Sequence, residues 1–232
     1  MNIAQIKETS RNQIKGKLGI LFICTLAASL PTTILNLIPV IGPIASVFVT
    51  PVLTAGMACL YMNVASGQNP DVRMVFSMFP STLKLVALNI LTTLIIGLWT
   101  LLFLIPGVMA TMSYSMSYFI IVENKELTSL EAMGRSKSMM HGNKMKFFIL
   151  NLSFLPWLIL QSVSGTVGIF SIIMAIAEEG NSMFMGLGLV LILVAVATSF
   201  RLVPYIATSY GNFYHNLKNE ESLGDNKTEV DF

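Results

Sequence analysis

The chain has 232 residues, of which 54% are apolar and only 11% are charged, and its formal net charge is +2. Soluble domains usually carry about 25% charged residues, so this composition excludes an ordinary water-soluble globular fold. The two cysteines lie within apolar runs without metal-like spacing, which argues against a disulfide framework.

The N-terminal segment has the pattern of a short amphipathic helix. Ile3, Ile6 and Ile14 recur at spacings close to one helical face, while the lysines and arginines lie mostly elsewhere. Residues 1–17 are therefore predicted to form an interfacial segment that leads into the first membrane span. A secretory signal peptide is the weaker interpretation, because apolar sequence continues beyond the candidate cleavage region at residues 27–29.

Long uncharged blocks fill residues 18–217 and alternate with short charged segments. A hydrocarbon core about 30 Å thick requires roughly 20 apolar residues for each helical crossing. The blocks therefore predict an all-α, polytopic membrane domain with about six transmembrane helices over residues 18–217. The third to sixth spans are predicted at about residues 82–104, 108–122, 147–176 and 183–205.

Prolines mark the predicted interruptions of these spans. Tight turns are expected near Pro39 and Pro106, because proline lacks a backbone N–H and disfavours helix in the residue before it. A kink or break is expected near Pro156 in the fifth span. Pro39 and Pro106 each follow a Leu-Ile pair, which hints at a repeat of the opening hairpin but is too short to establish one.

The connection after the fourth span should contain a helix at about residues 128–141. Thr128 and Glu131 have the spacing of a capping box, and Gly142 is placed to end the helix. One side of this segment is apolar, so the helix is expected to lie along the membrane. Residues 218–232 are polar and are expected to form a flexible tail.

Positive charge predicts the orientation of the chain. Of the 14 lysines and arginines, all except Arg201 fall in alternate connections of the predicted bundle. Cytoplasmic connections carry an excess of Lys and Arg, so this distribution requires an even number of crossings with both termini in the cytoplasm.

Five basic residues are candidate contacts for anionic lipid or another anion: Arg201, Arg135, Lys137, Lys144 and Lys146. The last four belong to the connection after the fourth span and should lie at headgroup level, where they attract anionic lipid or simply control topology. Arg201 has two interpretations. It reaches the cytoplasmic headgroups if the sixth span ends near residue 203, or it faces the bundle interior if the span continues.

The sequence predicts neither catalysis nor a bound cofactor or metal. The spans contain no Asp or Glu, which disfavours an ion-coupled transporter. His141 and His215 have no Cys, Asp or Glu at ligand spacing. No nucleophile elbow, phosphate-binding glycine loop or His-Glu-x-x-His motif is present, so hydrolase, nucleotidase and zinc-protease activities are disfavoured.

The second half of the chain contains a series of short motifs: Leu104-Ile105-Pro106-Gly107, Tyr114-Ser115-Met116, Ala132, Arg135-Ser136, Met140, Gly142-Asn143-Lys144, Leu152-Ser153-Phe154, Trp157, Pro204-Tyr205, Ala207 and Phe213-Tyr214. This series resembles an uncharacterised bacterial integral-membrane family, domain of unknown function 975. Pro156-Trp157 stands where the family has a Gly-Trp pair. The resemblance implies a multi-pass protein of a bacterial cell membrane, mostly from Gram-positive bacteria, and it implies no particular activity.

The favoured hypothesis is a non-enzymatic accessory or scaffold protein whose basic inner face contacts anionic lipids or another membrane complex. The expected partners are anionic headgroups on the cytoplasmic side and a membrane protein, whereas nucleic acid is not expected. One alternative is translocation of lipid or a small substrate along a path lined by the broken hairpins and Arg201. A second alternative is self-protection against a membrane-active peptide.

Overall fold

The computed structural model describes the backbone of residues 2–177 and 182–228 and the side chains of residues 2–177 and 182–222. These residues form helices and no β-strand, which confirms the all-α prediction. The helices are α1 (Ile3–Ile14), α2 (Leu18–Asn36), α3 (Ile41–Ala65), α4 (Val72–Phe76), α5 (Thr82–Leu102), α6 (Leu104–Tyr114), α7 (Ser117–Glu123), α8 (Ser129–Met139), α9 (Lys144–Leu152), α10 (Leu155–Ala177) and α11 (Ser182–Thr228). A single 3-10 turn, Phe79–Ser81, precedes α5.

Six helical segments are long and apolar enough to cross a membrane, as the sequence predicted. They are Leu18–Asn36, Ile41–Ala65, Val72–Leu102, Leu104–Glu123, Leu155–Ala177 and Ser182–Ser222. Large apolar side chains cover their outer surfaces; Leu101, for example, is 86% exposed and Ile105 is 75% exposed. Soluble monomers rarely expose so much contiguous apolar surface, whereas lipid tails solvate it. The chain is therefore a multi-pass membrane protein.

The two predicted tight turns occur, but the second lies slightly earlier than expected. The chain turns between α2 and α3 around Pro39, and it breaks between α5 and α6 at Phe103, whose backbone is extended. Pro106 is the third residue of α6. Proline is tolerated in the first helical turn because its missing N–H would have no partner there, so the fourth span begins at Leu104 rather than near 108.

The predicted interruption of the fifth span is confirmed. Helix α9 ends at Leu152, and α10 begins at Leu155 with Pro156 as its second residue. The intervening Phe154 is only 1% exposed and belongs to the main apolar core. The break therefore turns an aromatic side chain into the bundle.

The sixth predicted span is part of a much longer helix. Helix α11 contains 47 residues, continues through Pro204 and does not end near 205 or 217. The part of the predicted tail from residue 218 to Thr228 is helical, and residues 229–232 lie outside the described residues. Tyr214 and Leu217 are buried, and this packing against the rest of the bundle supports the extension.

Helices α1 and α8 are packed into the bundle as well as being amphipathic. Ile6, Ser10 and Ile14 of α1 are buried, and this helix packs against α11 and α3. Helix α8 has the predicted capping box at its start and buries Ala132 and Met133 on one side. Helices therefore form at both predicted positions, with their apolar sides covered by protein.

Several contacts between separate hairpins lie at one end of the bundle. We call this end the basic end; it comprises α1, residues 65–71, residues 123–146 and residues 205–221. The buried residues of α5 all lie in its first half, from Leu85 to Thr92, on the side toward this end. By contrast, α10 buries Ser164, Gly168, Ser171 and Ala175 mainly against its hairpin partner α11. The hairpins are thus joined at the basic end and packed largely in pairs beyond it.

Candidate functional site at the basic end

Hydrogen bonds between connections bring the basic segments of the sequence together. The Nζ of Lys17 donates to the carbonyl oxygen of Gln68 at 2.9 Å. Similarly, the Nζ of Lys84 donates to the carbonyl oxygen of Lys125 at 2.7 Å. Segments that are distant in sequence therefore share one end, as expected for an even number of crossings.

A buried amide connects α1, α3 and α11. Asn212 is 7% exposed, and its side-chain nitrogen donates to Ser10 Oγ at 2.9 Å and to Gln13 Oε1 at 2.6 Å. The Nε2 of Gln13 in turn donates to the carbonyl oxygen of Ala65 at 2.6 Å. These polar groups satisfy one another in a packed environment, where an unpaired group would cost free energy.

Two ion pairs attach the extension of α11 to α7 and α8. The carboxylate of Glu123 receives a hydrogen bond from the Tyr214 hydroxyl at 2.5 Å and another from Lys218 Nζ at 2.6 Å. Arg135 lies 3.5 Å from a carboxylate oxygen of Glu221. The hydrogen bonds to the Glu123 carboxylate involve a charged group, which makes them shorter and stronger than neutral ones. Together with the Arg135–Glu221 ion pair they hold the end of α11 against the bundle.

The two histidines show no arrangement for catalysis or metal binding. His215 Nε2 lies 3.0 Å from Ser66 Oγ and 3.2 Å from the carbonyl oxygen of Met62, so it joins α11 to the end of α3. His141 is exposed. Within residues 2–177 and 182–222, no group of three or more His, Cys, Asp or Glu side chains is placed to hold a metal ion.

The four predicted lipid contacts after the fourth span divide into two types. Arg135 is half-buried and is engaged with Glu221, so its charge is partly neutralised by the protein. Lys137 is exposed, while Lys144 and Lys146 are half-buried. These three lysines form no ion pair with the described side chains. Their charges therefore remain free to attract an external anion.

Arg201 combines parts of both sequence interpretations. Helix α11 continues far beyond it, but its side chain is exposed on the surface rather than turned into the bundle. The neighbouring Phe200 packs against Phe22 at a centroid distance of 4.9 Å. At 1.5 Å per residue, Arg201 lies about 28 Å along α11 from Ser182, close to the thickness of a hydrocarbon core.

Sequence reasoning missed the polar contacts of α11. Thr208, Ser209 and Asn212 interrupt the last apolar block and are all buried in the structure. Buried polar residues within a span commonly bond to neighbouring helices, so this short polar run was an available signal. The partners of Asn212 could not be identified in this way, because Ser10 lies about two hundred residues away from Asn212 in the sequence.

Hydrogen bonds fix the first turn of α8. The Glu131 carboxylate accepts from the Thr128 backbone N–H at 2.7 Å, while the Glu131 backbone N–H donates to Thr128 Oγ1 at 3.3 Å. The hydrogen bonds from Thr128 hold the pKa of Glu131 below its usual value. Because the pKa is lower in the folded protein, this stabilisation is complete above the usual carboxyl pKa and is lost as the pH falls through the folded value.

We therefore expect the start of α8 to fray in acid. Hydrogen exchange of the backbone amides of residues 129–132, corrected for intrinsic rates, should show less protection at pH 3 than at pH 7. Thr128→Ala should already reduce protection at pH 7, whereas Thr128→Ser should retain it because serine also caps helices. Equal protection at both pH values would contradict this assignment.

Two clefts on the described surface are candidate ligand sites. One of about 250 Å³ lies between α8 and the end of α11. It is lined by Ser138, Met139, Asn143, Leu217, Glu220 and Glu221. The other, of about 610 Å³, lies beside α2 and α3 and is lined almost entirely by apolar side chains. Neither cleft provides a polar path between the two ends of the bundle.

The second half of the chain matches a known family. Residues 100–221 match the family described as "Protein of unknown function (DUF975)". This range contains α6 to α10 and most of α11, together with the ion pairs of Glu123 and Arg135. Comparisons with curated proteins and with solved structures give no match.

Proposed function

The chain belongs to the DUF975 family of proteins of unknown function, and from this premise we propose that it is a non-enzymatic accessory or scaffold protein of a bacterial plasma membrane. Both termini and the basic end lie in the cytoplasm. The basic end holds anionic lipid headgroups and presents a surface to another membrane protein. These roles require no catalytic residue, cofactor or metal.

The unpaired lysines beside α8 and α9 carry this proposal. Lys137, Lys144 and Lys146 form no ion pair with the described side chains, although Glu221 neutralises the nearby Arg135. They project from a segment that is anchored by the buried residues Met133, Met140 and Phe147. A fixed set of cations next to an anionic membrane surface attracts lipid without a large rearrangement.

Neutralising these lysines should weaken the association with anionic lipid. Each cation contributes roughly 1 kcal/mol at such a surface, which is about a fivefold change in affinity. We expect a protein that carries Lys137→Gln, Lys144→Gln and Lys146→Gln to copurify with several-fold less phosphatidylglycerol from an equimolar mixture with phosphatidylcholine. Mass spectrometry of the extracted lipids measures this ratio.

The matched control replaces the same three lysines with arginine. This variant keeps the charge and should retain the lipid ratio of the unmodified protein. Labelling of Leu37→Cys and Ser222→Cys from either side of the membrane checks that the orientation is unchanged. If the glutamine and arginine variants recover equal amounts of phosphatidylglycerol, the lipid-contact role of these lysines must be abandoned.

Translocation is the weaker proposal for this fold. A conduit requires polar groups that connect the two sides of the membrane, and Arg201, which that hypothesis places in the path, instead lies on the outer surface. The apolar cleft beside α2 and α3 does not supply such groups. No contact among the described residues favours self-protection against a peptide.

A further inference from the structure

Phe154, at the break between α9 and α10, contacts side chains of α1 and α11. Phe154 is buried, and the ring of Tyr205 approaches it edge-on with centroids 5.3 Å apart. The Nζ of Lys7 lies 5.2 Å from the centroid of the same Phe154 ring. Residues of α1 and α11 are therefore fixed on either side of one side chain.

Two more cations lie one helical turn from these contacts. Arg11 follows Lys7 by four residues on α1, and Arg201 precedes Tyr205 by four residues on α11. Side chains four residues apart lie on the same helical face, with Cβ atoms about 6 Å apart. Arg11 is also close enough to the Tyr205 phenol to interact with it electrostatically. Lys7 and Arg11 of α1 and Arg201 of α11 thus belong to the two helices that meet at Phe154 and Tyr205.

The protein provides little negative charge to this group. Glu8 is the acidic residue of α1, and it forms no ion pair with the described side chains. Helix α10 and residues 182–219 of α11 contain no Asp or Glu. Three like charges repel one another, so a bound anion stabilises the arrangement.

An exposed apolar surface adjoins the cations. Helices α10 and α11 are antiparallel, and the Nε2 of Gln161 donates to Ser199 Oγ at 2.6 Å. This pairing places Trp157 of α10 near the level of Arg201 and Val203. Trp157 is 56% exposed, and tryptophan is enriched where the hydrocarbon meets the headgroups. A ligand at this position would meet both cations and membrane-facing apolar groups.

We propose that Lys7, Arg11 and Arg201 form a binding site for the phosphate of an anionic phospholipid, whose acyl chains lie against α10 and α11. Arginine can hold phosphate through two parallel hydrogen bonds, and the Tyr205 hydroxyl supplies a further donor. This inference rests on the proposed contact with anionic lipid and deepens it, because it assigns one retained lipid to a site separate from the lysines of α8 and α9.

Native mass spectrometry of the full chain tests this assignment. The protein is purified in detergent with added phosphatidylglycerol, and its bound lipids are counted as the activation energy rises. We expect the unmodified protein to retain one phosphatidylglycerol after the others have dissociated. A variant with Lys7→Gln, Arg11→Gln and Arg201→Gln should retain that lipid about a hundredfold less well, since each lost cation contributes about fivefold.

The α8–α9 variant with Lys137→Gln, Lys144→Gln and Lys146→Gln is the matched control. It loses the same amount of charge and should keep the tightly retained lipid while losing the weakly held ones. If both triple variants lose the tightly held lipid equally, the site is refuted and only a general attraction of charge remains. If the site variant alone loses it, the proposal is supported even when the lysines of α8 and α9 prove unimportant.

A single-residue variant and a phosphate titration complete the test. Arg201→Gln alone removes an exposed side chain that makes no described ion pair, so it replaces the triple variant if that protein does not fold; retention should fall about fivefold. Inorganic phosphate is also titrated against the lipid-bound protein. Displacement of the lipid by millimolar phosphate would overturn the lipid assignment in favour of a free-phosphate site, whereas resistance to it supports the lipid.

Discussion

Replacing Gly56 with alanine is expected to destabilise the protein more than a typical surface substitution. A Cβ at this position would overlap the carbonyl oxygen of Val75 and lie 2.6 Å from its carbonyl carbon. Both are backbone atoms of α4, so no side-chain rotation removes the overlap. Helices α3 and α4 would have to separate, and overpacking of this kind typically costs about 1 to 3 kcal/mol or more.

The change is measurable as a fall in the thermal unfolding midpoint of the detergent-solubilised protein. A loss of about 1 to 3 kcal/mol corresponds to several degrees in a chain of this size. Gly97→Ala is the matched control, because Gly97 is also helical and a Cβ there meets no atom within 4 Å. Alanine at position 97 should leave the unfolding midpoint unchanged or raise it slightly. Similar midpoints for the two variants would show that α4 does not pack tightly on Gly56.

The contact at Gly56 belongs to a part of the fold that sequence patterns did not predict. Helix α4 has only five residues, which is too short for a hydrophobic periodicity to emerge. Its local signal was Asp71, whose carboxylate accepts a hydrogen bond from the Arg73 backbone N–H at 2.9 Å as a helix cap does. The cap indicates a short helix but not that this helix packs back along α3.

The spans themselves were predictable because a bilayer imposes simple requirements on the chain. Uncharged length locates the crossings, and Pro39 and Pro156 mark interruptions that occur in the structure. Such signals are local. Each depends on a few neighbouring residues and on the thickness of the hydrocarbon core, so one sequence suffices to interpret them.

The candidate site was only partly predictable, because it joins segments that are far apart in the sequence. Arg201 stood out because it is a charge within an apolar block, but Lys7 and Arg11, the other residues of the proposed site, belong to the other end of the sequence. Helices α1 and α11 meet at Phe154, which a break between two helices turns inward. Contacts between remote segments leave no periodic trace in the sequence, so local patterns could not assemble this group.

The second large effect is expected at Asn212, where alanine should release α1 from the bundle. The substitution removes the hydrogen bonds to Ser10 and Gln13 and leaves Gln13 Oε1 without its described donor. Leaving a buried polar group unpaired costs about 1 to 3 kcal/mol. Because α1 is joined to α2 by a short connection and lies at the edge of the bundle, the loss should appear first as local opening of α1.

Hydrogen exchange of the α1 amides measures that opening, and protection should fall while the amides of α3 remain protected. Asn216→Ala is the matched control: it removes the same side chain one turn further along, where the Asn216 amide bonds only to the Asn212 backbone oxygen of its own helix. The double variant Ser10→Ala, Asn212→Ala should lower the free energy of opening of α1 by less than the sum of the two single variants, since the two residues share one hydrogen bond. Additive effects, or equal exchange in the Asn212 and Asn216 variants, would show that packing of Ile6 and Ile14 alone holds α1 in place.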